Sequence, residues 1–259
     1  MGVLIVNYVV LMIVSVKNLS VEFNGKAVLK DVSFDIEKGD ILAIIGPNGS
    51  GKTLLIKTIL GLNKNYTGEI IWHERPEVSY VPQKMGFEKG FPLTVKEFFL
   101  MEIGENKTFW LPTKKIQEEI KSRLDEVKAG YLINQRLGDL SQGEIQRMFI
   151  ARSLLENPGI VFFDEPASGI DIGTEETVYN LLYDLHKKNN STIILVSHEL
   201  SIVYKFATKV ICLNGKMLCQ GAPKEILTPE NLQNLYGHHK AFHSHEEPHS
   251  DIIDEHDHV

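Results

Sequence analysis

The feature that most constrains this chain is a short glycine-rich segment between an apolar run and a stretch of helical composition. It has the spacing of a phosphate-binding loop, in which a glycine and four residues precede Gly-Lys-Thr. Such a loop lets backbone N–H groups surround an anion, and the N-terminus of the following helix adds a partial positive charge. The segment therefore predicts a nucleoside triphosphate site, with Lys52 at the β- and γ-phosphates and the Thr53 hydroxyl on Mg²⁺. Its residues are Gly46, Pro47, Asn48, Gly49, Ser50, Gly51, Lys52 and Thr53.

A second candidate element is a pair of adjacent carboxylates, Asp164 and Glu165, directly after the apolar run 160–163. Two carboxylates at the end of a buried strand are costly unless they meet a cation, and α/β proteins place ligands at this end of their strands. We predict that Asp164 binds Mg²⁺ and that Glu165, on the other side of the strand, polarises the attacking water as general base. His198 follows the next buried strand, at 192–196, where its ring would contact the γ-phosphate.

Composition limits the classes of protein to consider. The chain has 259 residues, of which 43% are hydrophobic, which is enough for one sizeable core. Its formal net charge of -7 disfavours a nucleic-acid partner, because such partners are held by basic surfaces. The two cysteines, Cys212 and Cys219, flank a predicted turn, and we expect both to be reduced core residues of a cytoplasmic protein.

The N-terminal residues begin with an apolar run at 3–14. The run is shorter than the roughly 20 residues that a membrane helix needs, and it lacks the features of a signal peptide. Because a strand pattern is already present from Ile13 onward, our hypothesis is that Met12 is the natural start. The alternative is a weak contact of this run with a membrane surface.

Alternating apolar residues over 13–36 predict a small antiparallel β layer ahead of the phosphate loop. Asn24 and Gly25 favour a two-residue hairpin turn within it. Phe23, beside that turn, is either a core residue or a ring that stacks on adenine. Further along, about 84–157 changes to helical texture, in which Thr94 and Ser141 each begin a capping-box pattern with an acidic residue three positions on. The helix that begins at Ser141 is predicted to end near the Asn-Pro-Gly segment at 157–159.

With these residues in order, the chain resembles the ATP-binding subunits of ABC transporters. Besides the phosphate loop and the carboxylate pair, it has a Q-loop glutamine, Gln83, a signature segment Leu-Ser-Gln-Gly-Glu at 140–144, a D-loop at 168–171 and a switch histidine, His198. The resemblance implies an α/β fold, with a P-loop ABC ATPase domain at 1–237 that combines an N-terminal antiparallel β layer with an inserted helical subdomain at about 84–157. It leaves a disordered histidine-rich tail at 238–259.

The resemblance also implies a head-to-tail dimer, in which each ATP lies between one subunit's phosphate loop and the partner's signature segment. Gln83 would link the Mg²⁺ and water site to the helical subdomain, which docks on membrane-spanning subunits. The signature departs from the usual Leu-Ser-Gly-Gly-Gln at Gln142 and Glu144, and an acidic Glu144 near ATP would lower affinity in trans. The residues implied beyond the phosphate loop are Phe23, Ser141, Gly143 and Asp171 for ATP, Thr53, Gln83 and Asp164 for Mg²⁺, and Glu165, His198 and Gln83 for catalysis.

The tail concentrates most of the histidines of the chain. Seven of the ten lie in the last 22 residues, among acidic side chains and with little apolar content. Imidazole suits Zn²⁺, Cu²⁺ and Ni²⁺, so the tail predicts binding of a transition metal, with zinc preferred. The alternative is a solvated acidic tail that happens to be rich in histidine. The residues are His238, His239, His243, His245, His249, His256 and His258.

Two further segments, at 90–95 and 235–237, resemble the zinc/manganese importer branch of the family. They imply an ATP-hydrolysing subunit at the cytoplasmic face of the cell membrane that powers import of a divalent transition metal, and within this branch the histidine-rich tail favours zinc. Its expected partners are integral membrane permease subunits, a second copy of the ATP-binding subunit and, indirectly, an extracytoplasmic metal-binding protein, with no nucleic acid. The alternatives are a manganese or iron importer ATPase and a soluble ABC ATPase that takes no part in transport.

Overall fold

A computed structural model describes residues 11–83, 86–106, 113–155, 157–166 and 172–237. The histidine-rich tail, the residues before Leu11 and the D-loop with Asp171 lie outside the described residues. The predictions made for them therefore stay predictions. Within the described ranges, no helix is both long enough and apolar enough to cross a membrane.

The first described elements form the predicted antiparallel layer, which a third strand from after the phosphate loop joins. The layer consists of β1 (Met12–Phe23), β2 (Lys26–Glu37) and β4 (Thr67–Trp72), in the order β2-β1-β4. Asn24 and Gly25 form the turn between β1 and β2, and both have positive φ angles, of 52° and 73°. Asn and Gly are the residues that adopt this conformation most readily, which explains why the hairpin closes here.

A six-stranded sheet forms the centre of the molecule, in the order β5-β6-β7-β3-β8-β9. All neighbouring strands are parallel except the β8–β9 pair, which is an antiparallel hairpin. Every residue of β3, β6 and β7 is buried, as expected for parallel strands that are covered on both faces. The strands are β3 (Ile41–Ile45), β5 (Val78–Val81), β6 (Ile160–Asp164), β7 (Thr192–Val196), β8 (Lys209–Leu213) and β9 (Met217–Gly221).

Eight α-helices are described, and both predicted capping boxes begin one of them. Thr94 caps the second helix through Glu97, and Ser141 caps the fourth through Glu144. The fourth helix ends at Ser153, several residues before the Asn-Pro-Gly segment predicted as its end. The helices are α1 (Lys52–Ile59), α2 (Val95–Asn106), α3 (Thr113–Glu126), α4 (Gln142–Ser153), α5 (Ile172–Asn189), α6 (Leu200–Phe206), α7 (Pro223–Ile226) and α8 (Pro229–Tyr236).

Alternate residues of the central strands face two different cores. Leu42 and Phe162 pack with the antiparallel layer and α1 on one side of the sheet. Phe163 packs on the other side, in a cluster that also contains Phe99 of α2 and Leu124 of α3. The helices predicted as an inserted subdomain therefore share a hydrophobic core with the sheet, which ties their position to the strand ends that carry the candidate site.

The prediction that both cysteines are reduced was wrong. Cys212 on β8 and Cys219 on β9 are directly paired in the antiparallel register, with their Cα atoms 5.0 Å apart, and the structure joins them in a disulfide. A Cα separation of this size is within the range that a disulfide bridges. The sequence placed the two cysteines on either side of a turn but did not reveal that the strand register would align them.

Gly138, which lies in a 3-10 helix at 137–139, tests the packing of this short helix against the loop that contains Glu88 and Phe91. A Cβ at Gly138 would meet the carbonyl oxygen of Glu88 at 2.6 Å and the backbone nitrogen of Phe91 at 2.8 Å. We expect Gly138→Ala to lower the free energy of unfolding in urea by about 1–3 kcal/mol, the usual cost of overpacking.

Gly86→Ala, in the loop that Gly138 contacts, is the matched control. A Cβ at Gly86 would meet none of the described atoms within 4 Å. We expect this variant to change the free energy of unfolding by less than about 0.5 kcal/mol, as is usual for open surface sites. Equal effects of the two substitutions would contradict the close packing inferred at Gly138.

Candidate active site

The phosphate loop leaves the carboxyl end of β3 and runs directly into α1. Lys52, the first residue of α1, is only 6% exposed, and its ammonium group donates to the carbonyl oxygens of Gly46 at 2.9 Å and Pro47 at 3.0 Å. Burial lowers the pKa of Lys52, while the nearby charges of Glu165 and Asp164 raise it. The loop is therefore wrapped around a buried cation, a form suited to an anionic ligand.

The turn of the β8–β9 hairpin supports the loop from outside. Gly215 donates its N–H to the carbonyl oxygen of Ser50 at 3.0 Å and accepts from the backbone N–H of Lys30 at 2.7 Å. A Cβ on Gly46 would overlap the carbonyl oxygen of Leu213, so only glycine allows this approach of loop and hairpin. The hairpin thus fixes both the first glycine and the middle of the loop.

The Ser50 hydroxyl gives an independent indication that the loop accepts a polar ligand. The side chain is 3% exposed, and within the described residues its Oγ has no hydrogen-bond partner. A buried hydroxyl without a partner is costly, and such groups are rare in folded proteins. A phosphate oxygen entering the loop would satisfy it, so the residues present fit a nucleotide phosphate.

Asp164 ends β6 beside the start of α1. Its Oδ1 accepts from the Thr53 hydroxyl at 3.1 Å, and its Oδ2 accepts from the Tyr80 hydroxyl at 3.4 Å. Burial raises the pKa of Asp164, because a charged carboxylate is poorly solvated here, and the negative charge of Glu165 raises it further. The hydroxyl and carboxylate oxygens suit Mg²⁺, which completes its shell with phosphate oxygens and water.

Glu165 lies next to Asp164 but contacts a different group of residues. Its φ angle is 51°, so the backbone turns into the left-handed region directly after the strand, and its N–H donates to the carbonyl oxygen of Val196 at 3.1 Å. Its carboxylate accepts from the Gln83 side-chain amide, and its Oε2 lies 4.0 Å from Nδ1 of the exposed His198. A non-glycine residue in this conformation is strained, and at Glu165 the strained backbone coincides with the contacts to Gln83 and His198.

The structure therefore brings the two carboxylates, Gln83 and His198 to one edge of the central sheet, next to Lys52. The signature residues Ser141 and Gly143 are at the N-terminus of α4, and among the described contacts none joins them to the phosphate loop of their own chain. Phe23 is 67% exposed, so its interpretation as a core residue is wrong. An exposed ring leaves the adenine-stacking interpretation standing as a prediction.

Sequence reasoning missed two tyrosines, one that contacts Asp164 and one that contacts the signature segment. Tyr80 reaches Asp164 from β5, the strand adjacent to β6, and burial, followed by the charge and the hydrogen bond of Asp164, raises the pKa of its phenol to about 12. Tyr131 donates its hydroxyl to Glu144 of the signature segment at 3.0 Å. Neither contact has a sequence motif, because each depends on which strands and helices become neighbours.

A family model described as ABC transporter matches residues 29–168. A Thermotoga maritima protein, named a probable metal transport system ATP-binding protein, is 38% identical over 226 residues, which cover 86% of this chain and 90% of the relative. A Wigglesworthia glossinidia brevipalpis protein, named zinc import ATP-binding protein ZnuC, is 39% identical over 225 residues, which cover 87% of this chain and 93% of the relative.

Two solved structures that share this fold are described as ABC transporter proteins. One, described as a metal-chelate type ABC transporter in an inward-facing conformation, superposes with a TM-score of 0.77 at 30% identity and covers 86% of this chain and 88% of its own. Another, an ATP-binding cassette of an ABC transporter in its ADP conformation, gives a TM-score of 0.72 at 27% identity, and the match covers 86% of this chain and 98% of the other. The predicted P-loop ABC ATPase fold is confirmed.

Asp164→Asn separates the predicted role of this carboxylate in Mg²⁺ binding from its effect on stability. We expect Mg²⁺-dependent ATP hydrolysis to fall about 10²–10³-fold, as for the loss of one electrostatic contact in a transition state. Without nucleotide or Mg²⁺, we expect the melting temperature to rise, because burial makes the charged form of Asp164 unfavourable in the folded state.

The pH dependence provides the matching check. Because the pKa of Asp164 is higher folded than unfolded, its unfavourable contribution is present at neutral pH and disappears as pH falls through the raised pKa. The stability gap between Asp164→Asn and the native protein should therefore narrow on acidification in EDTA. Asp40→Asn is the control, since burial also raises that pKa but Asp40 lies outside the site, so hydrolysis should persist. A stability difference between Asp164→Asn and the native protein that did not change with pH would contradict the raised pKa of Asp164.

Proposed function

The chain belongs to the ABC transporter family, and from this premise we propose that it powers zinc import through a separate membrane permease by hydrolysing ATP. The observation that carries the ATPase part is the hydrogen bond from Thr53 to Asp164, which joins the phosphate loop to the carboxylate pair. The observation that supports zinc is that relatives 33–39% identical over most of their length are named zinc import ATP-binding proteins.

Lys52, Thr53 and Asp164 would bind the phosphates and Mg²⁺. The Lys52 ammonium is already desolvated, and within the described ranges its hydrogen bonds go to two loop carbonyls, so it can turn to a phosphate oxygen without losing a hydration shell. The Thr53 hydroxyl and Asp164 carboxylate contact each other, and both oxygens are available to one cation. Bound Mg²⁺ would supply neutralisation of the phosphate charge.

Glu165 is the group we assign as general base. Its left-handed backbone directs the carboxylate away from Asp164, towards Gln83 and His198. Gln83 donates to Glu165 and so orients it, while the exposed His198 is free to reach a substrate phosphate. A water between Glu165 and the γ-phosphate would lose its proton to the carboxylate as it attacks.

The other half of the site would come from a second copy of the chain. Ser141 is exposed and Gly143 half-buried, both at the N-terminus of α4, where backbone N–H groups and the helix dipole favour a phosphate. We propose that they meet the partner's nucleotide in a head-to-tail homodimer. Phe23, exposed beside the same chain's hairpin, would stack on adenine, and Asp171 would complete the shared interface.

A groove of about 480 Å³ between the sheet and the helices is the surface we propose for the permease. Leu62 and Val78 are exposed apolar residues of its lining, at 66% and 41%. Glu102 and Arg152, which form an ion pair at 2.7 Å, connect α2 to α4 along it. Such a mixture of apolar and charged groups suits a segment of a membrane protein that projects into the cytoplasm.

Across the residues that the structure describes, no group of three or more His, Cys, Asp or Glu side chains could hold a metal ion. The transition metal would therefore be handled by the partners and, in this chain, by the histidines 238–258 of the tail. We propose that the tail binds cytoplasmic zinc and damps uptake when loaded. The competing proposals are a manganese or iron importer, whose tail merely buffers metal, and a soluble ABC ATPase without a permease.

Cellular metal content tests the transported ion. We expect cells that carry Lys52→Ala in place of the native protein to lose zinc selectively under metal limitation, since the variant cannot hold the phosphates. Total Zn, Mn, Fe and Ni are measured by mass spectrometry, with Lys64→Ala as a control that removes an exposed lysine outside the loop. A loss of manganese or iron would retain transport and reject zinc, and unchanged metals would favour the soluble ATPase.

Removal of residues 238–259 tests the tail. We expect the truncated protein to lose most zinc binding and to keep hydrolysing ATP when zinc is in excess, whereas the native protein is inhibited about fivefold or more, a common size for coupling between sites. Replacing only the seven tail histidines by glutamine keeps the length and acidity, and should act like the truncation. Unchanged zinc affinity and unchanged zinc inhibition after both changes would reject the proposal.

A further inference from the structure

The first turn of α4 has a hydrogen bond that comes from outside its capping box. Ser141 donates to Oε2 of Glu144 through its backbone N–H at 2.9 Å and through its hydroxyl at 2.8 Å. The other carboxylate oxygen, Oε1, accepts from the hydroxyl of Tyr131 at 3.0 Å. Tyr131 is 58% exposed, so filling the core does not explain the position of its ring.

The capping box of α2 provides an internal comparison. There Thr94 donates to Oε2 of Glu97 through its N–H and its hydroxyl, each at 2.8 Å. Among the described hydrogen bonds of Glu97, none comes from a tyrosine. The two caps therefore have the same geometry, and the phenol is an addition to the cap that lies in the signature segment.

The extra donor matters because the Ser141 hydroxyl has a single proton. In this structure that proton is given to Glu144. To bind a phosphate oxygen of the partner's nucleotide, the hydroxyl has to turn away from the carboxylate. Glu144 would then lose a donor, and an unrestrained carboxylate close to a triphosphate would repel it.

We propose that Tyr131 is a positioning residue for this exchange: its hydroxyl keeps Glu144 at the helix N-terminus while Ser141 turns to the partner's nucleotide. The inference rests on the proposed function, because it requires an ATP site shared by two subunits. Two donors would remain on the carboxylate after the exchange, the Ser141 N–H on Oε2 and the phenol on Oε1.

Glu144 is a carboxylate, not a neutral acid, when ATP binds. Burial raises its pKa, but the hydrogen bonds from Ser141 and Tyr131 and the positive charge of Arg147 outweigh burial and hold the pKa below its usual value. The negative charge is therefore present at neutral pH and has to be held in place. Arg147, one turn further along α4, is the cation that faces it.

The test measures the ATP dependence of two processes in the full-length protein. One is the rate of hydrolysis, and the other is ATP-driven dimer formation in the Glu165→Gln background, followed by light scattering. We expect Tyr131→Phe to raise the half-saturating ATP concentration about threefold to tenfold in both, the range for one intramolecular hydrogen bond, with kcat changed less than about twofold. The melting temperature is recorded alongside.

Two further variants make the result specific. In the Glu144→Gln background, Tyr131→Phe should no longer shift the ATP dependence, because the amide carries no charge to restrain. Glu97→Gln alters the matched cap of α2, and we expect it to leave the half-saturating ATP concentration unchanged. This control separates the charge at the signature segment from the loss of a helix cap in general.

Three results would overturn the inference while leaving the proposed ATPase standing. They are an unchanged ATP dependence in Tyr131→Phe, an equal shift with and without the Glu144 charge, and a fall in melting temperature and kcat without a shift in ATP dependence. If instead the native protein hydrolysed ATP at the same rate as Lys52→Ala, the proposed function would be rejected, and this inference with it.

Discussion

Charged groups that are buried at the carboxyl edge of the central sheet determine what the rest of the structure has to provide. Lys52 is 6% exposed and Asp164 is 1% exposed. Burial lowers the pKa of Lys52 and raises the pKa of Asp164, so in both cases it favours the neutral form. Loop carbonyls compensate the lysine, and the hydroxyls of Thr53 and Tyr80 compensate the aspartate. These neutral partners only partly replace water, so the protein holds a desolvated cation and a desolvated anion ready for a ligand of complementary charge.

The surrounding elements can be understood as supports for that arrangement. The loop has to bend sharply to surround Lys52, and the hairpin turn at Gly215 holds it through Ser50 while Leu213 packs against Gly46. The Cys212–Cys219 disulfide cross-links the two strands of that same hairpin. Parallel strands with two buried faces fix the positions of β3 and β6, so that the loop and Asp164 cannot move apart without exposing the core.

Much of this could be predicted from sequence because the motifs are local. The spacing at 46–53 requires a strand, a turn and a helix in succession, and the apolar run before Asp164 predicts a buried strand end. The contacts of Tyr80 and Tyr131, and the pairing of the cysteines, could not be predicted, because each depends on the strand register or on which elements pack together, and no local motif encodes either. The end of α4 was placed too late for a related reason, since the backbone leaves the helix at Ser153, before any residue that breaks helices.

The signature segment shows how one set of atoms can serve stability and binding at the same time. A helix N-terminus has backbone donors without partners inside the helix, and Glu144 and Ser141 satisfy some of them in the capping box. The same donors and the same dipole are what a phosphate would use, so an acidic residue at this position competes with the proposed ligand for one charge site. A carboxylate that is held on both oxygens, by Ser141 and by Tyr131, is a weaker competitor than a mobile one, because it cannot follow the donors when the serine hydroxyl turns away. If Tyr131 has the proposed role, the departure of the segment from its family pattern at Glu144 therefore lowers the affinity for ATP less than an unrestrained carboxylate would.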